Sequence, residues 1–207
     1  MKKVFSILTV AVILATAAWA QDFSISAGGG GLLAGDGLLV GDFAGGFKKG
    51  GDKTTYPYIG GGGFVYVDAT YAELSVGFLV GSGDVESDSG NTPWTLSSLN
   101  LGLLGKFPFA LSDALTIFPA AGIEYQRVLS AKKDGKEVDE PGDYSALWIK
   151  AGAGLDVRFA ERFYFRGEVL FGIRLANKAE KDEADSGDGE TVLGLGPTVK
   201  LGVGYRF

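Results

Sequence analysis

The chain has 207 residues with 19 basic against 25 acidic side chains, a formal net charge of -6, and it contains neither cysteine nor histidine. The missing thiols exclude a disulfide framework and a thiolate metal site, and the missing imidazoles exclude the commonest general base and any Ser-His-Asp device. The acidic balance is the opposite of what a phosphate backbone attracts, so no nucleic-acid partner is expected.

Residues 1–20 carry the three parts of a secretory signal: Lys2 and Lys3, an apolar stretch from Val4 to about Ala17, and the small-x-small sequence Ala18-Trp19-Ala20. The stretch is short for a membrane span and ends in a cleavage pattern rather than a basic flank. Cleavage is expected to leave one mature domain, residues 21–207, more acidic still once Lys2 and Lys3 are gone. Its 34 glycines are roughly twice the usual share and follow neither a collagen period nor a low-complexity tract.

Beyond the signal no apolar run is long enough for a transmembrane helix, and the recurring pattern is alternation of period two. Strands are predicted over 22–32, 56–67, 71–82, 94–107, 115–128, 146–159, 163–176 and 193–207, each long enough to cross a bilayer when tilted. Gly28 to Gly31 and Gly60 to Gly63 lie in the first two. Neither run has the order of a phosphate loop opening a helix, so these glycines are read as small positions in a crowded wall. The second strand is apolar on both faces and gives no orientation. The sixth sets Leu147, Ile149, Ala151, Leu155 and Val157 against Lys150, Gly152, Gly154, Asp156 and Arg158. The seventh sets Phe165, Gly167, Val169, Phe171 and Ile173 against Arg166, Glu168, Gly172 and Arg174. The last is clearest, with Val199, Leu201, Val203, Tyr205 and Phe207 alternating with Thr198, Lys200, Gly202, Gly204 and Arg206.

Connections are long after strands one, three, five and seven and short after two, four and six, at 68–70, 108–114 and 160–162. That rhythm predicts an all-β chain, an eight-stranded antiparallel up-and-down transmembrane β-barrel with periplasmic termini and four long connections outside. A soluble lipocalin-like barrel would reverse the faces. Against it, the polar face is rich in Gly, Ser and Ala, as a narrow lumen requires. The aromatics Tyr56, Tyr58, Trp94, Phe107, Tyr125, Phe159, Phe163 and Phe207 also gather near strand ends, where membrane-interface girdles lie.

The ending Lys200-Leu-Gly-Val-Gly-Tyr-Arg-Phe207 resembles the C-terminal signal of bacterial outer-membrane barrels, with a terminal Phe and an aromatic two residues before it. The turn Arg158-Phe-Ala-Glu-Arg-Phe-Tyr-Phe-Arg166 is similar to the penultimate hairpins of small OmpA-, OmpX- and OmpW-type barrels. The resemblance implies residence in the bacterial outer membrane, contact with its lipid, and recognition of Tyr205 and Phe207 by the barrel-assembly machinery. It implies function only loosely, since such barrels include adhesins, structural proteins, small channels and enzymes.

Paired carboxylates such as Glu168 and Asp156 could share a lumen for general acid–base work, but the inward basic groups make ion pairing their better use. A turn centred on Glu161 sets Asp156 opposite Arg166, Gly154 opposite Glu168 and Trp148 opposite Arg174. Lys106, Lys150, Lys200 and Arg206 are expected to meet Glu73, Glu124 and Glu168 across the lumen, with Arg158 and Arg174 adding to a positive excess that needs water or a loop carboxylate. The acidic loop 180–190 lacks the spacing of a calcium loop, and no metal or cofactor site is expected. The connections 33–55 and 131–143 are candidate surfaces for an external ligand. A non-enzymatic barrel that supports the envelope and displays loops is therefore expected. Lumen-facing Leu96, Leu104, Phe118 and Leu170 favour the alternative, a narrow channel for small or hydrophobic solutes.

Overall fold

A computed structural model describes residues 24–36, 58–87, 90–175 and 194–207 of the chain. The signal segment 1–20, Tyr56, the acidic loop 180–190 and most of the 33–55 connection lie outside the described residues.

Eight long strands form the wall: β1 Ile25–Asp36, β2 Tyr58–Ala69, β3 Ala72–Ser87, β4 Gly90–Lys106, β5 Leu115–Lys133, β6 Ala146–Arg158, β7 Phe163–Arg174 and β8 Gly194–Arg206. Each pairs antiparallel with its neighbour in sequence, and β1 pairs with β8 to close the ring, with Gly30 opposite both Phe64 and Gly202. Closure leaves no lipid-facing strand edge, which is the condition for crossing a bilayer with strands.

The expected alternation orients every wall strand. Outward positions are apolar and exposed, among them Val65, Leu74, Phe165, Phe171 and Leu201, and inward positions are buried and mix polar and charged side chains with apolar ones. The second strand, which alternation left unoriented, turns Tyr58, Phe64, Tyr66 and Asp68 inward and Ile59, Val65 and Val67 outward. Inward glycines serve close approach of the backbones. A Cβ on Gly62 would stand 1.8 Å from the Phe78 carbonyl oxygen, and one on Gly30 would stand 1.9 Å from that of Leu201.

Three turns at one end are short, as predicted. Thr70 takes φ 32° between β2 and β3, and its hydroxyl accepts from the Ser24 N–H at 2.8 Å. Phe109–Ala110 pairs back onto β5 in the second turn, and Phe159 closes on Phe163 in the third. At the opposite end two expected long loops are largely extra strand. The β3–β4 hairpin runs to Ser87 opposite Gly90. β5 continues to Lys133, where Asp134 (φ 53°) and Gly135 (φ 70°) turn the chain back into Lys136–Glu137. Two consecutive positive φ values are those of a type I′ hairpin turn, which Asp-Gly favours. A bulge at Leu129 sets Ser97 against Ser130 and Ser98 against Val128. The 3-10 turn Pro141–Tyr144 then brings Tyr144 over the interior, with its ring 5.4 Å from that of Trp94.

The predicted girdle needs revision at two residues. Tyr58 and Trp94 are buried inside the barrel, because their strands present the even-numbered face inward. Phe107, Phe159, Phe163 and Phe207 are exposed at the short-turn end, where Phe163 and Tyr205 lie 5.1 Å apart and Tyr205 and Phe207 5.2 Å. Tyr125 faces outward on β5.

Candidate functional site

The site is the lumen, and the register builds it. β6 and β7 meet with Asp156 opposite Arg166, Gly154 opposite Glu168 and Trp148 opposite Arg174, the pairs expected from a turn centred on Glu161. β8 adds Lys200 opposite Glu168, and β2 and β3 set Asp68 opposite Glu73. All of these positions face the interior, where they are buried.

Arg166 is the hub. Its Nε and Nη2 donate to Asp156 Oδ1 and Oδ2, both at 2.7 Å, a two-pronged contact that only a planar guanidinium makes. Its Nη1 crosses the lumen to Glu73 Oε2 at 2.7 Å and Asp68 Oδ2 at 2.6 Å. Three rings surround the guanidinium, with centres 4.6 Å (Tyr66), 5.1 Å (Phe118) and 5.2 Å (Tyr164) from its carbon. One side chain thus ties β7 to β6, β3 and β2. Lys106 of β4 donates to Asp68 as well. Nearer the short-turn mouth the Tyr66 hydroxyl donates to that of Tyr164 at 3.1 Å, which donates to Ser26 Oγ at 2.9 Å.

A second layer lies toward the hairpin end. Lys150 Nζ donates to Glu124 Oε1 at 2.7 Å and to Thr198 Oγ1 at 2.8 Å, and Asn100 Nδ2 donates to the same Glu124 oxygen at 2.9 Å. Lys200 Nζ donates to Ser75 Oγ at 3.3 Å and lies 3.5 Å from Glu73 Oε1 and 3.6 Å from Glu168 Oε2. Beyond it Gln126 bridges three strands: its Nε2 donates to Tyr58 and Ser98 hydroxyls, and its Oε1 accepts from Trp148 Nε1. Apolar side chains fill the remainder, Leu32, Leu79, Leu96 and Val128 in one cluster and Leu104, Phe118, Ala120 and Leu170 in another.

The structure places the sequence-derived lumen residues unevenly. Glu73, Lys106, Glu124, Lys150, Asp156, Arg166, Glu168, Arg174 and Lys200 are all buried inside. Arg158 is exposed and Arg206 half-exposed, because β6 and β8 end at these residues and the lumen opens there. Arg206 instead rests its guanidinium 5.9 Å from the Tyr164 ring centre. Asp68, expected in a turn, is a lumen residue: counting outward from the two-residue turn Thr70-Tyr71 places it opposite Glu73. With Asp68 included and the two rim arginines removed, the expected positive excess disappears. Among the described residues the buried charges are five carboxylates (Asp68, Glu73, Glu124, Asp156, Glu168) and five cations (Lys106, Lys150, Arg166, Arg174, Lys200).

A closed eight-stranded barrel, apolar toward its surroundings and filled inside by paired charges, is a transmembrane barrel of the kind that resides in the bacterial outer membrane. No protein family's sequence profile matches the chain, and no curated protein matches it in sequence. Among solved structures it is similar to the outer membrane protein OprG of Pseudomonas aeruginosa, at 13% identity over 89% of this chain and 95% of that one, with a TM-score of 0.47. Escherichia coli outer membrane protein W gives 14% identity over 89% and 97%, with a TM-score of 0.46. The attachment invasion locus protein Ail of Yersinia pestis gives 13% identity over 90% and 100%, with a TM-score of 0.42.

Proposed function

We propose that the protein is a non-enzymatic, non-conducting barrel that reinforces the outer membrane and holds its long hairpins outside the cell for contact with an external ligand. The observation that carries this reading is the reach of Arg166, whose three carboxylate partners lie on three different strands. A guanidinium bound on every side, with rings packed around it, leaves no continuous water path through so narrow a wall. Such a lumen supports rigidity. The hairpins β3–β4 and β5 to Glu137 continue that rigidity toward the side opposite the termini. In this reading Tyr205 and Phe207 serve assembly, displaying two aromatic rings packed edge to face at the end of the closing strand to the barrel-assembly machinery.

A narrow channel for small or hydrophobic solutes is the second reading, favoured by the apolar filling of the lumen around Leu32, Leu79, Leu96 and Val128. Planar-bilayer recording of the purified protein separates the two. No stable conductance is expected from the wild type, and discrete, reproducible openings would give the channel reading precedence.

A further inference from the structure

We infer that Glu73 and Glu168 form a carboxyl–carboxylate pair that binds one proton in the middle of the lumen. Three buried carboxyl oxygens at this point of the lumen have no hydrogen-bond donor. Glu168 is 1% exposed, yet neither of its carboxyl oxygens has a hydrogen-bond donor, and Glu73 Oε1 is likewise buried without one. An ionised carboxylate can only accept, and three acceptor oxygens without donors, away from water, are costly to keep.

The surroundings offer no other remedy. Charged groups facing Glu168 are Glu73 on β3, Lys200 on β8 and Arg166 two positions away on its own strand. Lys200 is spread over both carboxyls at 3.5 and 3.6 Å while its hydrogen bond goes to Ser75. Arg166 is committed to Asp156, Asp68 and Glu73 Oε2. β6 presents Gly154 opposite Glu168, with Asp156 beyond it already held by Arg166, and β5 presents the Phe118 ring. Leu170 follows Glu168 on the same inward face and is fully buried. The Glu73 and Glu168 carboxyls converge on one ammonium, with Glu73 Oε1 and Glu168 Oε2 at 3.5 and 3.6 Å from Lys200 Nζ, so the two acids meet around a single cation. With both groups ionised that contact is acceptor against acceptor. One proton taken up from water converts it into an O–H···O bond from Glu168 to Glu73, and leaves Lys200 facing one negative charge rather than two. Glu73 keeps its charge for Arg166, so the two carboxyls differ in role.

The test uses the full-length protein folded in detergent. Infrared difference spectra of the wild type against Glu168→Gln should show, at neutral pH, the carbonyl stretch of a protonated carboxylic acid that the variant lacks. Glutamine replaces a neutral acid at little cost, so Glu168→Gln should keep the wild-type unfolding midpoint, whereas Glu73→Gln should lower it. Raising the pH strips the shared proton, so wild-type stability should fall toward alkaline pH more steeply than that of Glu168→Gln. If that variant does not fold, loss of the carbonyl band from the still-folded wild type on alkaline titration carries the same information. Absence of the band at neutral pH would overturn the inference. So would a midpoint drop in Glu168→Gln of more than about 6 °C, the order expected when Lys200 loses an ionised, water-bridged partner.

Discussion

Arg166 shows how much depends on a single buried cation. It has three carboxylate partners, and its removal would leave Asp156, Asp68 and Glu73 facing one another with Lys106 and Lys200 as the nearest compensation. Stranding buried charges in this way costs about 3–5 kcal/mol, whereas an exposed hairpin lysine contributes within about 0.5 kcal/mol. Arg166→Ala should therefore lower the temperature at which the folded band is lost on unheated gels far more than Lys132→Ala, and equal shifts would show that the lumen charges are hydrated rather than mutually paired. The Asp156–Arg166 contact was legible in the sequence because a three-residue turn fixes the register of its hairpin, and register fixes every opposed pair. The reach from Arg166 to Glu73 and Asp68 was not. It crosses the barrel between strands far apart in sequence, and no local pattern encodes which side chains meet across a lumen.

For the strands, the same alternation that made the wall legible hid two of its parts. β2 carries Phe64 and Tyr66 inward and Val65 and Val67 outward, so both faces read as apolar, and only closure of the ring decides between them. The hairpin extensions are hidden in the sequence for a different reason. Around Gly83-Asp84 and Lys132-Lys133 small and polar residues stand on both faces, and the two-sided contrast that marks a membrane strand is absent. The glycines of β1 and β2 can be sorted by the same geometry. Gly62→Val would drive its side chain into the Phe78 carbonyl of β3, and the folded fraction recovered in detergent should collapse. A Cβ on Gly31 meets nothing within 4 Å, so Gly31→Ala should fold as the wild type does. Comparable yields from both variants would mean that the wall relaxes around bulk at Gly62.

At the scale of the molecule, the eight strands, their order and the facing of all but β2 followed from period two and the lengths of the connections, because a bilayer demands both. The balance of five buried carboxylates against five cations could not be read in advance, since it depends on where the wall ends as well as on where it faces. Arg158 and Arg206 have the parity of lumen residues and lie at its rim.

Closure has one more consequence. β1 and β8 are neighbours, and the Phe207 N–H donates to the Ile25 carbonyl at 3.0 Å, so the two ends of the wall adjoin. A ring has no first strand. A circular permutant with Ser24 and Phe207 joined by a short linker and new termini cut between Asp134 and Gly135 retains every wall pairing, and should refold in detergent to a barrel with the wild-type β-sheet circular dichroism. In that permutant the aromatic ending becomes internal, so in cells it should be exported yet accumulate unassembled if Tyr205 and Phe207 act as a terminal address. Normal insertion of the permutant would mean that the closing strand is recognised by its shape alone, wherever the chain happens to be cut.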